Sequence, residues 1–263
     1  MIIDGEKIAE GILNELKKLP VPTKKLVAVL SGNDSASISF LRQKEKVARE
    51  LGVDFELKQF PESLSQGEFE EAVRKISEDD SVGGIIVQLP LPTKYNRVPV
   101  LDAIDFKKDT DALRGGNKIT RAPAALSLKY ILEDIGFDPA NKKAVVVGYG
   151  FLIGQPITNW LTSKNAQVVI IEKDYFDKDA FKGADLVVSG TGQSNLIKGE
   201  HLKHGVVVVD YGYGVVDGKV CGDTEIESVS KVASFVTPTP GGTGPVVVVA
   251  LFVNFYNCFP NGV

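Results

Sequence analysis

The sequence predicts an α/β protein built of two αβα lobes around a cleft. Two observations lead to this fold class. Short apolar runs typical of buried strands alternate with amphipathic helical patterns along the 263 residues, and such alternation favours parallel sheets with right-handed crossovers. The alternation is interrupted over residues 109–123, where apolar residues are few and charges and glycines are frequent, and it then begins again. This interruption predicts a hinge between the lobes.

The first half of the chain is predicted to contain an N-terminal amphipathic helix, three strands and two further helices. The last strand is a continuous apolar run, which is the pattern of a strand buried on both faces. A polar turn at residues 32–34 separates the first strand from a helix with apolar residues at helical spacing. After the N-terminal helix, the predicted elements are a strand over Lys25–Ser31, a helix over Ser37–Leu51, a strand over Asp54–Gln59, a helix over Glu68–Ser77 and a strand over Gly84–Leu89.

The second half repeats this organisation. The predicted elements are a helix over Ala124–Leu132, a strand over Ala144–Val147, a helix including Ile157–Leu161, and strands over Gln167–Ile171, Leu186–Ser189, Val206–Asp210 and Ser234–Val236. The tail Gly244–Phe255 is rich in valine, but its length, Ala250 and Leu251 favour a buried helix. We therefore expect a first lobe over residues 1–120, completed by a C-terminal helix over 244–263, and a second lobe over 121–243.

The composition is that of a globular protein without a nucleic-acid or membrane partner. The net charge of −4 comes from 34 acidic and 30 basic residues with no basic cluster, which argues against nucleic-acid binding. The longest uncharged, mainly apolar run, Val246–Tyr256, is shorter than the roughly 18 residues that a membrane span needs. Cys221 and Cys258 are too few for a disulfide framework and have no metal-ligand spacing, so we expect a cytoplasmic protein without a metal site.

A glycine-rich turn opens the second lobe. Gly148, Gly150 and Gly154 follow a predicted strand and precede a predicted helix, with Tyr149 between the first two. Glycines in such a turn let backbone amides approach a pyrophosphate at the helix N-terminus. The spacing is one residue longer than the Rossmann fingerprint, so two interpretations remain: a Rossmann-like dinucleotide site, or glycines that serve only a tight strand–helix turn.

Two further strand ends in this lobe carry candidate cofactor contacts. Glu172 follows the next strand, where a carboxylate can accept both ribose hydroxyls of NAD and would repel the 2′-phosphate of NADP. Gly190, Thr191 and Gly192 follow the strand after that, in a loop of the kind that packs along a dinucleotide. The alternatives are a solvated acid at a strand end and a loop that only needs conformational freedom.

Other motifs are spread over nearly the whole chain. The N-terminal part contains IIDGEKIAEGI, GNDSASISFLRQKEK, GGIIVQLPLP and KKDTDAL. The C-terminal part contains VVVGYGFLIGQP, VVVDYGYG, the pair Gly222-Asp223 and TPTPGGTGPVVVVALFVNF. In these motifs the chain resembles the methylenetetrahydrofolate dehydrogenase/cyclohydrolase family, the FolD type. The order and separation of VQLPLP and PGGTGP make the resemblance specific.

The resemblance implies a set of site residues. Lys44 corresponds to the catalytic lysine of the family, Gln88 to the glutamine beside it and Asp111 to the folate-binding aspartate. Ser37 and Phe40 fall in the substrate-binding helix, and Gly241, Gly242 and Pro245 in the loop near the nicotinamide and the folate. The resemblance also implies a homodimer that forms through the nucleotide-binding lobe.

The chain departs from the family pattern at several positions. Phe40 replaces the usual tyrosine, so it keeps a ring but loses a hydroxyl. The segment Pro123-Ala124-Ala125-Leu126 lacks the usual cysteine and threonine. Tyr149 and Gly150 replace an Arg-Ser pair that holds the 2′-phosphate, and Glu172 adds an anion. The cofactor is therefore NAD or NADP, with NAD favoured.

The activity that the resemblance implies is oxidation of 5,10-methylenetetrahydrofolate to the methenyl form with NAD or NADP, then hydrolysis to 10-formyltetrahydrofolate. Two alternatives stay open. A monofunctional NAD-linked dehydrogenase would result if Phe40 and the altered loop disable the lysine. A folate- or nucleotide-binding relative without catalysis would keep the fold alone, although the retention of Lys44, Gln88 and Asp111 together argues against it.

Overall fold

The computed structural model describes residues 1–115, 119–172 and 177–259. The chain forms two compact units. The N-terminal unit comprises Ile12–Pro123 and Val248–Val263, and the C-terminal unit comprises Ala124–Val247 and Met1–Gly11. Both units combine parallel sheets with helices, which confirms the predicted α/β class.

The N-terminal unit has a three-stranded parallel sheet in the order β2-β1-β3. The central strand β1 is buried along nearly its whole length, as expected for a strand with a neighbour on each side and helices over the sheet. The elements that begin this part of the chain are α1 (Gly5–Leu16), β1 (Lys25–Ser31), α2 (Ser35–Leu51), β2 (Phe55–Phe60), α3 (Gln66–Glu78), β3 (Val82–Val87) and α4 (Arg97–Asp102).

Local signals at both ends define helix α2. The Asp34 carboxylate accepts a hydrogen bond from the Ser37 backbone N–H (2.7 Å) and so caps the first turn. Gly52 ends the helix with φ of 72°, a left-handed conformation that favours glycine. Helix α2 therefore begins two residues before the predicted Ser37, because the cap lies at Asp34.

The position of β3 differs from the prediction. The strand covers Val82–Val87, whereas the sequence predicted Gly84–Leu89. Val82 and Gly83 extend the strand at its start, where Val82 is in register with Lys25 of β1. Gly84 must be glycine, because a Cβ atom there would lie 2.6 Å from the Phe255 ring. The strand ends before Gln88, and the prolines that follow have no N–H groups with which to extend a ladder.

The predicted hinge at 109–123 is wrong for its first six residues. Asp109 is buried, and its carboxylate accepts hydrogen bonds from the backbone N–H groups of Leu113 (3.1 Å) and Arg114 (2.9 Å). The preceding backbone runs beside β3, where Ile85 N–H donates to the Lys108 carbonyl (2.7 Å). The charges that suggested a loose connection therefore build a closed turn. Residues 116–118 of this segment lie outside the described residues.

The C-terminal unit has a five-stranded parallel sheet in the order β10-β7-β6-β4-β5. The elements of this half of the chain are, in order, α5 (Pro123–Asp134), β4 (Lys143–Val147), α6 (Gly154–Ser163), β5 (Gln167–Ile171), α7 (Lys178–Phe181), β6 (Leu186–Ser189), β7 (Val207–Asp210), β8 (Gly214–Val216), β9 (Lys219–Cys221), α8 (Ile226–Val229), β10 (Phe235–Val236) and α9 (Thr243–Asn257). From Val248 onward, α9 belongs to the N-terminal unit. The tail is a helix, as predicted from its length.

Two features of this unit lie outside the predicted elements. The N-terminal segment runs beside β10, where Ile3 N–H donates to the Val236 carbonyl (2.8 Å) and Val236 N–H to the Met1 carbonyl (2.9 Å). Strands β8 and β9 form an antiparallel hairpin whose turn, Asp217-Gly218, has positive φ at both residues. An Asp-Gly pair between strands is a known hairpin signal. In the part of the chain that the structure describes, no helix is long and apolar enough to cross a membrane.

Candidate active site

One face of helix α2 carries the first group of candidate residues. Ser37, Leu41 and Lys44 are buried on this face, because residues three, four and seven positions apart share one side of a helix. Phe40 precedes Lys44 by one turn and is half-buried. Lys44 is 9% exposed, which is unusual for lysine unless its ammonium group has partners.

Two side chains from other segments meet the Lys44 ammonium group. Lys44 Nζ donates a hydrogen bond to Gln88 Oε1 (3.2 Å) and lies 3.7 Å from Asp111 Oδ2. Gln88 is the first residue after β3, and its Nε2 donates to the Leu89 carbonyl (2.8 Å), which orients the side-chain oxygen towards the lysine. The structure therefore brings together Lys44, Gln88 and Asp111, which are far apart in sequence.

The backbone that carries Asp111 is held from both sides. Thr110 Oγ1 donates to the Ile85 carbonyl of β3 (2.8 Å). On the other side, Asn254 of α9 donates from Nδ2 to the carbonyls of Thr110 (2.8 Å) and Arg121 (2.6 Å). These bonds fix the position of Asp111 opposite Lys44.

Burial sets the protonation chemistry of this group. Burial raises the pKa of the Asp111 carboxyl, while the nearby Lys44 ammonium acts in the opposite direction. The side chains of Lys44 and Asp111 are only 11% and 16% exposed, so their interaction is weakly screened by water. A buried ammonium held by an uncharged glutamine and a carboxylate can orient a polar substrate and exchange a proton with it.

The glycine-rich turn lies in the C-terminal unit, between β4 and α6. Gly148 has φ of 84°, and a Cβ atom on Gly154 would lie only 1.9 Å from the Gly148 carbonyl oxygen. Both positions therefore require glycine for the turn itself, whereas a Cβ atom on Gly150 would meet no atom within 4 Å. Among the described residues no side chain caps the N-terminus of α6. Gln155 N–H donates to the Gly150 carbonyl (3.0 Å) and Pro156 has no N–H, so this helix end attracts a phosphate mainly through the positive end of its dipole.

The carboxyl ends of three neighbouring strands place the other candidate cofactor residues near this turn. Val147 is in register with Ile171 of β5 and with Ser189 of β6. Glu172 follows β5 directly and is exposed, in the position predicted from the sequence. Ligands of open α/β sheets bind beyond the carboxyl ends of the strands. Residues 173–176 lie outside the described residues.

The Gly190–Gly192 loop packs closely against the glycine-rich turn. A Cβ atom on Gly190 would lie 2.6 Å from Cγ2 of Ile153, and one on Gly148 would lie 3.0 Å from Cγ2 of Thr191. Gly192 has φ of 72°, where glycine is favoured. Gly190 and Gly192 are therefore required by local packing and backbone geometry.

The loop with Gly241, Gly242 and Pro245 belongs to the C-terminal unit. Gly241 has φ of 88°, and its carbonyl accepts a hydrogen bond from Gly5 N–H (3.0 Å). A Cβ atom on Gly242 would lie 2.3 Å from the Pro238 carbonyl oxygen. Pro245 lies in the first turn of α9, where proline is tolerated. These residues form a tightly folded helix start.

Sequence reasoning missed two buried carboxyl groups in the C-terminal unit. Asp210 ends β7 and Asp223 follows β9, and they are 1% and 0% exposed. Both fall in motifs shared with the family, but nothing in a single strand or turn reveals that two acids will meet in the interior. Buried acids of this kind are uncommon unless they are hydrogen-bonded.

The comparisons with known proteins agree with the resemblance. Residues 3–111 match the family described as "Tetrahydrofolate dehydrogenase/cyclohydrolase, catalytic domain", and residues 122–261 match its "NAD(P)-binding domain". The "Bifunctional protein FolD" of Staphylococcus saprophyticus is 35% identical over 269 residues, covering 96% of this chain and 94% of the relative.

Solved structures of relatives are similar as well. The bifunctional FolD enzyme of Campylobacter jejuni has a TM-score of 0.94 and 29% identity, covering 100% of this chain and 99% of the relative. The Trypanosoma brucei enzyme, solved with NADP and an inhibitor, has a TM-score of 0.91 and 28% identity, covering 99% and 97%. By both family domains and by identity over nearly its full length, this chain belongs to the tetrahydrofolate dehydrogenase/cyclohydrolase family.

Proposed function

We propose that this protein catalyses both reactions for which its family is named. It oxidises 5,10-methylenetetrahydrofolate to the methenyl cation with a nicotinamide dinucleotide, and it hydrolyses that cation to 10-formyltetrahydrofolate. The observation that carries the proposal is the cluster of Lys44, Gln88 and Asp111 in the N-terminal unit of a chain that belongs to this family.

The oxidation depends mainly on positioning. Hydride leaves a methylene carbon held between two folate nitrogens, whose lone pairs stabilise the cation, so the step needs no strong acid or base. Asp111 is assigned to the donor face of the pterin, where a carboxylate makes charge-assisted hydrogen bonds. Ser37 and Phe40 belong to the same binding surface as Lys44, because they lie on the same part of α2. A bound dinucleotide supplies the hydride acceptor.

The hydrolysis needs proton transfer, which we assign to Lys44. Water adds to the methenyl carbon and loses one proton, which gives a carbinol. The bond from that carbon to one ring nitrogen then breaks as the nitrogen takes up a proton, and the carbinol hydroxyl releases its proton as the formyl C=O bond forms. An amine beside the reacting carbon can relay these protons. Gln88 holds Lys44 Nζ by a hydrogen bond without neutralising it, so it serves as a positioning residue for the lysine.

The two units are assigned different substrates. The catalytic-domain match covers most of the N-terminal unit, and the NAD(P)-binding match covers most of the C-terminal unit. We therefore assign folate to a lobe that corresponds to residues 1–120 with 244–263, and the dinucleotide to a lobe over 121–243. Gly241, Gly242 and Pro245, at the start of α9, are assigned to the edge of the nicotinamide and folate sites.

The proposed cofactor is NAD in preference to NADP. A Cβ atom on Gly150 would meet no atom within 4 Å, and we assign this open space at the start of α6 to the pyrophosphate. Gly148 and Gly154 close the turn itself, and the loop at Gly190–Gly192 lies beside it. Glu172 is an exposed carboxylate at the end of β5, where it can bind ribose hydroxyls and repel a 2′-phosphate. Tyr149, which is 40% exposed, provides no compensating positive charge.

We also propose that the protein forms a homodimer through the C-terminal unit. Strand β5 is at one end of the five-stranded sheet, so one side of its backbone has no neighbouring strand among the described residues. Its Val169 and Ile170 side chains are 37% and 42% exposed. An exposed apolar edge strand is a natural place for pairing with a second copy.

The proposal is tested by supplying methylenetetrahydrofolate with NAD or with NADP and following reduced nicotinamide and the methenyl chromophore together. We expect turnover that is faster with NAD and little accumulation of the methenyl compound. Accumulation of that compound would show a monofunctional dehydrogenase, as expected if Phe40 cannot support Lys44. No turnover with either dinucleotide would contradict the proposal.

A further inference from the structure

The carboxyl groups of Asp210 and Asp223, here called the carboxylate pair, have no part in the reactions described above. Both are buried in the C-terminal unit. Acidic side chains are seldom buried so completely unless hydrogen bonds compensate for the lost water. Their contacts lead from the core of the unit to the loop assigned to the dinucleotide.

Asp223 binds both residues that flank Gly190. Its Oδ2 atom accepts a hydrogen bond from the Ser189 hydroxyl (2.6 Å) and another from the Thr191 backbone N–H (2.6 Å). Hydrogen bonds to a carboxylate are stronger than those between neutral groups. One oxygen atom thus fixes both the end of β6 and the start of the loop.

The fixed loop in turn contacts the glycine-rich turn. Gly190 packs so closely against Ile153 that no side chain fits between them, and the Thr191 methyl group leaves just enough room for Gly148. A small movement of Thr191 would therefore change the spacing between two loops that follow adjacent strands. That spacing determines whether backbone groups from both loops can contact one dinucleotide at once.

Asp223 is itself held in place from several directions. The Asp223 carbonyl accepts from Ile197 N–H (2.9 Å), and the neighbouring Gly222 carbonyl accepts from Asn195 N–H (3.1 Å). Asp210 fixes the next residue, because its Oδ2 atom accepts from Thr224 N–H (2.8 Å). These bonds join Asp223 to the buried residue Ile197 and to Asp210 at the end of β7.

The other oxygen atom of Asp223, Oδ1, is packed closely against the backbone of Gly212. Asp223 Oδ1 is buried and has no hydrogen-bond partner among the described residues, and a Cβ atom on Gly212 would lie 2.2 Å from it. An unpartnered carboxylate oxygen in the interior is costly. The hydrogen bonds that Oδ2 accepts from Ser189 and Thr191 oppose this cost.

We propose that Asp223 is a positioning residue for the dinucleotide, which acts by holding the Ser189–Gly192 loop at a set distance from the glycine-rich turn. The inference rests on the proposed function, because it assumes that these two loops bind the dinucleotide. It adds a residue outside the loops to the determinants of cofactor affinity.

The test compares Asp223→Ala, Asp223→Asn and Ser189→Ala with the unchanged protein. Dissociation constants for NAD⁺ and NADP⁺ are measured without folate, and hydrolysis of methenyltetrahydrofolate is measured without dinucleotide. Ser228→Ala is the matched control. The Ser228 hydroxyl also accepts a hydrogen bond from a backbone N–H, that of Gly199 (3.0 Å), but its hydrogen bonds join it to Gly199 and Glu225 and not to the Ser189–Gly192 loop.

Asp223→Ala is expected to weaken binding of the preferred dinucleotide about tenfold or more, because a buried donor loses its acceptor. Ser189→Ala is expected to weaken it about threefold. Asp223→Asn should restore most of the affinity, since its amide oxygen can accept both bonds. The hydrolysis rate should remain unchanged in all of these variants, which distinguishes a local effect on the loop from general damage.

Unchanged dinucleotide affinity in Asp223→Ala would overturn the inference, as would equal losses of affinity and hydrolysis. If Asp223→Ala does not fold, Ser189→Ala decides the question: affinity equal to that of Ser228→Ala contradicts the proposal. Failure of the unchanged protein to bind either dinucleotide would instead refute the proposed function.

Discussion

From the distance between Lys44 and Asp111 we predict how much their interaction contributes to the free energy of unfolding. The two charged atoms lie 3.7 Å apart and are largely shielded from solvent. With an effective dielectric constant of about 20, Coulomb's law assigns this pair an attraction of about 4 kcal/mol. Loss of hydration opposes this gain, so the net coupling is smaller than the attraction itself.

A double-mutant cycle separates these contributions. Lys44→Met keeps most of the aliphatic stem and removes the charge, while Asp111→Asn keeps the shape of the carboxyl group. Each single change leaves a buried polar group without its partner and should lower the free energy of unfolding by about 2–4 kcal/mol. The double variant should lose less than the sum, with a coupling of about 1–3 kcal/mol.

Urea unfolding at neutral pH measures all four proteins of the cycle. Lys46→Met provides the control, because Lys46 is on the same helix but exposed. The free energy of unfolding of this variant should differ from that of the unchanged protein by less than about 0.5 kcal/mol. Strictly additive losses from Lys44→Met and Asp111→Asn would refute the claim that the two groups interact directly in the folded protein.

Three other predictions concern the C-terminal unit. Glu172→Ser should raise the ratio of kcat/KM for NADP to that for NAD about tenfold or more, since it removes an anion beside the ribose; an unchanged ratio rejects this role. Gly154→Ala should lower the free energy of unfolding by more than about 3 kcal/mol, because its Cβ atom would overlap the Gly148 carbonyl, whereas Gly150→Ala should change it by less than about 1 kcal/mol. Burial and the Asp223 charge raise the pKa of Asp210 to about 6, so the folded protein binds a proton on Asp210 more tightly than the unfolded chain does. Protonation of Asp210 therefore adds to the free energy of unfolding at low pH, and this contribution is lost as the pH rises through 6. Urea unfolding should therefore show that the free energy of unfolding of Asp210→Asn, relative to that of the unchanged protein, increases by about 1 kcal/mol from pH 5 to pH 8. A difference between the two proteins that stays the same at both pH values contradicts the raised pKa.

The regular elements of the chain are largely predictable because their signals are local. The strand over Lys25–Ser31 and the strand over Gln167–Ile171 have the predicted bounds, since β-rich apolar runs bounded by polar residues define both. Helix α9 is also predicted correctly, because its apolar run is too long for a strand. In such segments local propensity and tertiary packing favour the same structure.

The errors arise where distant contacts override local propensity. Gly83 falls outside the predicted strand, yet β3 includes it, and the Phe259 ring and Lys24 Cβ pack directly against its backbone. Asp109 belongs to a polar segment that resembles a hinge, but its carboxylate closes a buried turn. Neither contact is visible from the neighbouring sequence.

In the candidate site, too, the features with local signals were predictable from the sequence, and those that depend on distant contacts were not. Glu172 lies at its predicted strand end, because the apolar run before it marks the strand. The meeting of Lys44 with Gln88 and Asp111 was expected only from the family resemblance, since it depends on three separate segments. The carboxylate pair was not expected, because β7 and the β8–β9 hairpin bring its members together only in the folded unit.

The most direct test of the central claim is the rate at which Lys44→Met hydrolyses methenyltetrahydrofolate in the absence of dinucleotide. If Lys44 relays the protons of this reaction, the rate should fall about 100-fold or more, while Lys46→Met retains full activity and Lys44→Met still folds. Hydrolysis at the unchanged rate in Lys44→Met would show that the cluster of Lys44, Gln88 and Asp111 does not carry the reaction.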